Sequence, residues 1–452
     1  MKDIFDIVVL GAGSSGISAA MRGADLGARV CIIEMGRIGG SQLHKGFYPI
    51  KSAIGFLKNK ESGAKVDEVV NAEILFNNTS KSMVSLSDKW KKDLIQSGIT
   101  IINGIGTLSS TGIITVETNG KSIDIRAQKI IIATGSKPIA LPAIPFEEEI
   151  IIPVDDVFID SSIPKSVFIM GADENGCELA YFYQALGSKV FLGSYDSRLM
   201  GQLDADIVEI VEKSLKKNKV KLLLGKKILS YFKNNKLLDI TLDGGVKFQV
   251  EKIVQNLERQ GNSIELGCDL LGIRLGTDKK ILVNEKFETS TKNVYAVGSI
   301  TGRLSRPGIS AEEGRIAAGN AMGKNISINS DWVPTMIFIE TEIACVGCFA
   351  QEAHHKGFRG VEGKAMLEDL DCSIINNNFD GFFKIVADAR SGIVIGGQIS
   401  SPNASQLILL VLMAIKKGLK VGALAFLASD KSNEIEGIKE AARLCSKALK
   451  SN

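Results

Sequence analysis

Between Asp6 and Gly40 the chain reads DIVVLGAGSSGISAAMRGADLGARVCIIEMGRIGG, and no other stretch narrows the fold so far. An apolar run, Ile7 to Leu10, enters Gly11-x-Gly13-x-x-Gly16. A segment of small residues follows, and a second apolar run, Val30 to Ile33, ends on Glu34. That order predicts strand, tight turn, helix and strand. Gly11 permits the turn, Gly13 lets a pyrophosphate approach the backbone, and Gly16 lets helix and strand pack closely, while free N–H groups at the helix N-terminus face the anion. Glu34 stands where a carboxylate accepts hydrogen bonds from a ribose hydroxyl. Glycines at this spacing also occur in bare βαβ units; strand, glycines, helix, strand and terminal acid in register are what point to a dinucleotide.

The 452 residues allow two to four domains. With 45% hydrophobic and 23% charged residues and a net charge of +3, both signs interspersed, the composition is that of a globular protein and predicts neither a nucleic-acid nor a membrane partner. Lys2, Asp3 and Asp6 precede a strand already committed to the βαβ unit, which leaves no room for a cleavable signal. The apolar run Leu407 to Ile415 ends at Lys416-Lys417, short of a membrane span. The expected setting is the cytoplasm. Seven cysteines follow no secreted framework; Cys345-x-x-Cys348 is the one close pair. In a strand, positions i and i+3 point to opposite faces, so a redox or metal pair there needs a bend. Without a second such pair or a histidine cluster, the reading is two core cysteines and no metal site.

After Gly40 a polar, helix-like region extends to about residue 100. Short alternating strands follow, with a hairpin turn at Asn119-Gly120, and then a buried strand from Lys129 ending in Ala133-Thr134-Gly135-Ser136. From Ser166, VFIMGADENGCELAYFYQALGSKVFLGS repeats the first unit about 160 residues on. NVYAVGSITGR, Asn293 to Arg303, is a strand ending in a glycine turn, with a helix from about Ser310 to Met322. Beyond Trp332 come long strands and helices at Ser405 to Lys417 and Asn433 to Leu449, an α+β region. The expected class is α/β, with two Rossmann-like domains, the second inserted in the first. Its parts are residues 1–150 and 276–334 (FAD-type), 151–275 (nucleotide-type, degenerate) and 335–452 (interface).

This order resembles the dihydrolipoamide dehydrogenase and mercuric reductase group of flavin disulfide reductases. Gly39-Gly40-Ser41, Pro49-x-Lys51, the ATGS turn, VPTMIFIETEIACVG and GFFKIVADARSGIVIGGQISSPNAS fall in that group's order and spacing along nearly the whole chain. The resemblance implies FAD bound by Gly11, Gly13, Gly16, Glu34, Gly40, Ser41, Lys51, Ala133, Thr134, Gly135, Gly298 and Ser299. It also implies a Lys51/Glu178 pair at the flavin edge, and a homodimer. An ordinary buried ion pair is the plainer account of Lys51 and Glu178.

The chemistry departs from the group. Its segment GGTCLNxGCIPSK carries the two cysteines that pass electrons from flavin to substrate; here Gln42 and Phe47 occupy those positions. Neither side chain undergoes thiol–disulfide exchange. The group's C-terminal HxHPTxxE supplies a histidine base; here Lys431 takes its place, followed by Glu436. An unperturbed lysine has a pKa of about 10.4. Gly171-Ala172-Asp173-Glu174-Asn175-Gly176 puts Asp173 where the second pyrophosphate should approach, a like-charge contact worth about 4 kcal/mol at 4 Å and an effective dielectric of 20. Ser194 replaces the acid after the next strand, and Glu258 alters the turn over the nicotinamide half, although Arg198 leaves a 2′-phosphate conceivable. NAD(P) in the family manner is therefore not expected. At the flavin, Gly298-Ser299 replaces Gly-Asp, so the ribityl contact loses charge assistance. His44, Lys45 and Tyr48 flank the lost cysteines, either facing the flavin or as plain loop residues; His354-His355 read as solvated.

Two functions remain. One is an FAD-dependent oxidoreductase without dithiol chemistry that passes electrons to a non-disulfide acceptor or a protein redox partner. The other is a catalytically inactive homologue, FAD-bound or empty, acting as a scaffold or regulatory subunit. Gln42 and Phe47 exclude a working lipoamide dehydrogenase on chemical grounds.

Overall fold

Ile7, Val8, Val9 and Leu10 are all buried, as are Val30 to Ile33, because the strands they form lie inside a parallel sheet covered on both faces. Ile7, Val9, Ile32 and Ile131 pack on one side with Ala19, Ala20 and Ile316. Val8, Leu10, Cys31, Ile33 and Ile130 pack on the other with Leu108, Ile114 and Ile281. The continuous apolar runs are the two faces of one sheet read in alternation. The structure, a computed structural model, describes residues 4–61, 72–159, 162–303, 307–329 and 332–451.

Compactness divides the chain into two units, Met1–Gly171 with Lys227–Ile328, and Ala172–Lys226 with Asn329–Asn452. In the first, strands run in the order Thr100–Asn103, Val30–Glu34, Ile4–Leu10, Lys121–Ile132, Ile113–Thr118 and Ile105–Ser110, with Val294–Ala296 also on Lys121–Ile132. The meander strand and the buried strand read separately in the sequence are this one strand of 12 residues. Its first part pairs antiparallel with Ile113–Thr118, and its last part lies parallel to Ile4–Leu10. Asn119 (φ 49°) and Gly120 (φ 70°) form the expected hairpin turn. Helix Ser14–Asp25 packs against helix Pro307–Ala321 so closely that a Cβ on Gly314 would lie 2.1 Å from the Ser15 carbonyl oxygen. A further parallel set, Ile151–Pro153, Lys252–Gln255 and Ser166–Met170, belongs to the same unit.

The second unit holds helix Glu174–Ala185, the parallel strands Lys189–Ser194 and Lys221–Leu224, and helix Ala205–Lys217. It also holds an antiparallel sheet in the order Thr335–Phe338, Glu342–Gly347, Val394–Ser401, Phe382–Asp388, Gly360–Met366. Val346, Ile385 and Ile399 of this sheet pack with Val411, Ile438 and Ala441 of helices Ala404–Lys417 and Ile435–Ser451. Buried Lys384 pairs with Asp204 (3.1 Å), Asp206 and Glu362 (3.6 Å), compensating the charge it buries. The fold is α/β with mixed sheets. The bend that the close cysteine pair required exists at Gly347 (φ 80°), yet Cys345 and Cys348 are buried and no disulfide joins them. His354 and His355 are exposed on a 3-10 turn. Among the described residues no helix is long and apolar enough to cross a membrane.

Candidate flavin-nucleotide site

The first strand delivers the chain into Gly11, where φ is 100° and a Cβ would lie 2.4 Å from the Ala133 carbonyl oxygen. At Gly16 a Cβ would come within 1.9 Å of the Gly11 oxygen. These two glycines close the turn sterically. Gly13 has φ −74° and ψ −178°, which any residue adopts, and a Cβ there meets nothing within 4 Å. Its missing side chain therefore leaves room. Gly13 is also the N-cap of helix Ser14–Asp25 and supplies no side-chain bond, so the first-turn N–H groups stay open to an anion.

Around this turn lies a cleft of about 840 Å³. Of the residues singled out in the sequence, Gly11, Gly13, Glu34, Gly40, Ser41, Ala133, Thr134, Gly135 and Ser299 line it. Gly16 and Gly298 support it from behind: a Cβ on Gly298 would sit 2.6 Å from Ser15 Oγ. Glu34 at the strand end accepts hydrogen bonds from the N–H of Ala12 (2.6 Å, Oε2) and of Gly36 (2.8 Å, Oε1), and each oxygen keeps a lone pair for a ribose hydroxyl. One wall is fixed by the turn that follows Lys252–Gln255. Arg259 donates to both oxygens of Asp155 (2.6 and 3.1 Å) and to Ser136, while Thr134 and Asn262 exchange bonds of 3.1 and 2.9 Å. The Glu258 carbonyl accepts from the Ile139 N–H (3.0 Å).

Three residues that line the cleft carry a buried polar atom with no hydrogen-bond partner among the described residues: Ser14 Oγ, Gln42 Oε1 and Ser310 Oγ. Buried polar atoms are ordinarily paired, so three unpaired ones in the walls of one cleft, beside an uncapped helix N-terminus, set this region apart from a packed core. A flavin dinucleotide fits this donor set. Its pyrophosphate suits the space at Gly13, and its ribose hydroxyls suit Glu34. Ser14 and Ser310 escaped sequence reasoning, and Gln42 was read only as standing at a cysteine position, because nothing in one-dimensional spacing shows that a hydroxyl or amide will be left alone.

Gln42 lines the cleft, whereas Phe47 packs edge-on against Tyr48 (ring centroids 5.5 Å) beneath Lys51 Nζ, 4.3 Å from its ring centre. Tyr48 also meets Trp90 edge-on at 6.1 Å. His44 and Lys45 line the cleft, and the His44 ring is tied at 2.9 Å to the Ile38 carbonyl. In the second unit, Glu178 is buried and accepts the Phe338 N–H at 2.9 Å.

The second glycine turn repeats the first in backbone but not in occupancy. Gly171 has φ 110°, and a Cβ there would lie 1.9 Å from the Asn256 carbonyl oxygen, matching Gly11. Asp173 has φ −76° and ψ −174°, within a few degrees of Gly13. Its carboxylate caps helix Glu174–Ala185 by accepting the Gly176 N–H at 2.9 Å. A carboxylate of the chain thus takes the N–H group that Gly13 leaves open in the first turn. Ser194 Oγ accepts from the Asp196 N–H (3.1 Å), and Arg198 donates to the Leu203 carbonyl (2.8 Å). Exposed Lys431 pairs with Asp371 at 2.9 Å; that hydrogen bond raises its pKa, the direction opposite to what a base near neutrality requires.

Behind Gly298, Glu313 is 1% exposed and accepts the Gly298 N–H at 2.7 Å. Burial pushes its carboxyl up to about 7 from the ordinary 4.5. A carboxyl whose folded value is raised holds its proton in the folded state. Stability is therefore greatest below the unfolded value and declines as pH rises from about 4.5 to 7, by on the order of 3 kcal/mol. Glu313→Gln keeps an acceptor for Gly298 and removes the ionisation. Urea unfolding of the apoprotein at pH 5 and pH 8 should show the natural chain losing more stability than the variant, and equal losses would mean that Glu313 ionises normally.

The fold and this cleft define an FAD-type dinucleotide-binding protein. The chain belongs to the pyridine nucleotide-disulphide oxidoreductase family: that family's model matches residues 5–318, and the model of its dimerisation domain matches residues 333–427. It is 29% identical over 454 residues to a dihydrolipoyl dehydrogenase of Thermus scotoductus, covering 97% of this chain and 96% of that one. To a mercuric reductase of Lysinibacillus sphaericus it is 28% identical over 459 residues, covering 98% and 82%. The crystal structure of LpdA from Mycobacterium tuberculosis superposes with a TM-score of 0.90 over 97% of this chain and 98% of that one, at 24% identity.

Proposed function

We propose that this protein is an FAD-dependent oxidoreductase of dihydrolipoamide dehydrogenase-like lineage that works without dithiol chemistry, passing electrons through flavin to a non-disulfide acceptor or a protein redox partner in the cytoplasm. The observation that carries this is the pairing of an open cleft around the uncapped Gly13 turn with Gln42 and Phe47 where the resemblance puts the thiols. FAD, when bound, supplies the capacity to take up and release two electrons. The chain's own groups bind and orient it: the first-turn amides and Gly13 receive the pyrophosphate, Glu34 the adenosine ribose, and Ser41, Thr134 and Ser299 the remaining hydroxyls. Lys51 and Glu178 form the flavin-edge pair in this proposal. Residues 1–150 and 276–334 make the FAD domain, 151–275 the degenerate nucleotide domain and 335–452 the interface of a homodimer. Apolar side chains exposed on the last of these, Leu409, Met413, Ile374 and Phe426, support the dimer.

The protein should purify yellow with about one FAD per chain, or acquire flavin absorbance on incubation with FAD; a colourless protein that gains none removes this reading. The self-capped turn at Asp173 and the protonated Lys431 favour the second reading, a non-catalytic FAD-bound or empty scaffold. A bound flavin that dithionite reduces but that returns electrons to no quinone, dye or protein acceptor would establish the bound form of it.

A further inference from the structure

Cys345 and Cys348 are the close pair that the flavin reading leaves unused, and the sheet that carries them brings both to one face. Strand Glu342–Gly347 sets Cys345 opposite Gln398 and Gly347 opposite Gly396, while strand Phe382–Asp388 sets Lys384 and Val386 opposite the same two residues. Directly opposed residues share a face. Ala344, Val346, Ile385 and Ala387 pack with the helices, so Cys345, Lys384 and Val386, which alternate with them, face the other way. A regular strand would return Cys348 to the helix side. Instead Gly347 takes φ 80° and the chain rises over Gly396, where a Cβ would lie 2.0 Å from the Cys348 carbonyl oxygen and 2.9 Å from its nitrogen. Cys348 accordingly packs with Val386 and Ala353, and not with the helix-facing cluster. The bend puts the second cysteine on the face of the first.

We propose that Cys345 and Cys348 are an oxidisable dithiol, closing to an intramolecular disulfide when a small peroxide takes up their two electrons. The cover over Cys348 is thin: Ala350 and Ala353 belong to the 3-10 turn Ala350–Lys356, whose Gln351, Glu352, His354 and His355 are exposed. Opening one such surface turn costs far less than unfolding the domain, so peroxide meets Cys348 first. Its sulfur attacks one peroxide oxygen, the O–O bond breaks, and the departing hydroxide leaves as water with the thiol proton. The Cys345 sulfur then attacks the sulfenic sulfur at Cys348. An S–S bond forms, the S–O bond breaks, and the second hydroxide leaves as water with the Cys345 proton. Two thiols are oxidised and one peroxide is reduced. Both cysteines lie in the second unit, and the inference is independent of the flavin reading.

The test reduces the folded chain with dithiothreitol, desalts it, treats it with hydrogen peroxide, unfolds it in N-ethylmaleimide and maps the tryptic peptides by mass. Residues 325–356 leave as one peptide that carries both cysteines. After peroxide this peptide should take up no label and be two hydrogens lighter than its dithiol form, while the remaining cysteines keep their labels; dithiothreitol should restore both labels. Cys345→Ser removes the resolving thiol and should stop at the sulfenic acid of Cys348, captured there by dimedone. Should that variant fail to fold, the map of the natural chain decides alone. Both labels retained after peroxide overturn the assignment. So does a disulfide that forms only when peroxide is added to the urea-unfolded chain, or a bond from either cysteine to any other.

Discussion

The Gly13→Asp variant should lose its flavin, emerging colourless and binding FAD more weakly by about two to three orders of magnitude, while folding as well as the natural chain. The expectation comes from the molecule's own second turn. Gly13 and Asp173 share a backbone conformation to within a few degrees, and Asp173 caps its helix. An aspartate at 13 therefore faces no backbone strain, and its Cβ meets nothing within 4 Å. It supplies helix Ser14–Asp25 with the side-chain cap that it lacks, an addition worth about a few tenths of a kcal/mol over glycine. The same carboxylate takes up a first-turn N–H and sets a negative charge against the pyrophosphate. One such contact costs about 4 kcal/mol at 4 Å and an effective dielectric of 20, which is close to a thousandfold in affinity. A rise in apoprotein melting temperature with loss of FAD would show that helix capping and anion binding compete for the same groups. Full retention of FAD by Gly13→Asp would mean that the dinucleotide does not lie at this turn.

Much of this was legible in the sequence, and the limits have physical causes. The βαβ unit could be read because strands buried on both faces must be continuously apolar, and because Gly11 and Gly16 stand where any side chain collides with backbone. The hairpin at Asn119-Gly120 was legible from turn chemistry. The continuity of Lys121–Ile132 was not, since its first half is largely exposed and its second half buried, so the run changes character within one element. Asp173 stood out in the sequence as a departure from the glycine pattern, but that its carboxylate folds back onto Gly176 is a rotamer, which spacing does not encode. Ser310 and Glu313 fell within a helix that was expected, yet which face of it meets Gly298 is decided by tertiary packing. Lys431 could be placed only by resemblance; its pairing with Asp371, 60 residues away, could not be foreseen.

On the reading proposed above, Gln42 and Phe47 at the thiol positions, Lys431 at the base and Asp173 at the second glycine turn form one pattern. Dithiol chemistry needs a nucleophile, a proton acceptor and a supply of hydride, and each is useless without the others. On the same reading the first turn answers to a different requirement, the retention of FAD, and its open glycine and strand-end acid remain together. That division separates holding flavin from feeding it through a nicotinamide, and it directs attention to electron entry.

Asp173→Gly combined with Ser194→Glu should bind NADH and accelerate anaerobic reduction of the flavin by NADH by at least about tenfold over the natural chain, which should be reduced readily by dithionite but only sluggishly by NADH or NADPH. Asp173 holds the Gly176 N–H that a pyrophosphate would use, and replacing it with glycine releases that donor and removes the adjacent like charge. The cost to the helix is small, because glycine is itself a tolerable N-cap and replaces aspartate at a loss of only about a few tenths of a kcal/mol. Ser194 ends strand Lys189–Ser194 and is engaged with the Asp196 N–H; glutamate there would restore a carboxylate for the adenosine ribose. The two substitutions act on different parts of one ligand, so their effects should roughly add. Stopped-flow reduction under argon, with NADH affinity of the apoprotein measured alongside, reads both steps. If the double variant binds NADH no better than the natural chain, the obstruction lies elsewhere, and Glu258 becomes the next position to restore. Rapid, stoichiometric reduction of the natural chain by NADH would instead show that a self-capped turn still admits a nicotinamide dinucleotide, and would make the protein an NADH-driven diaphorase.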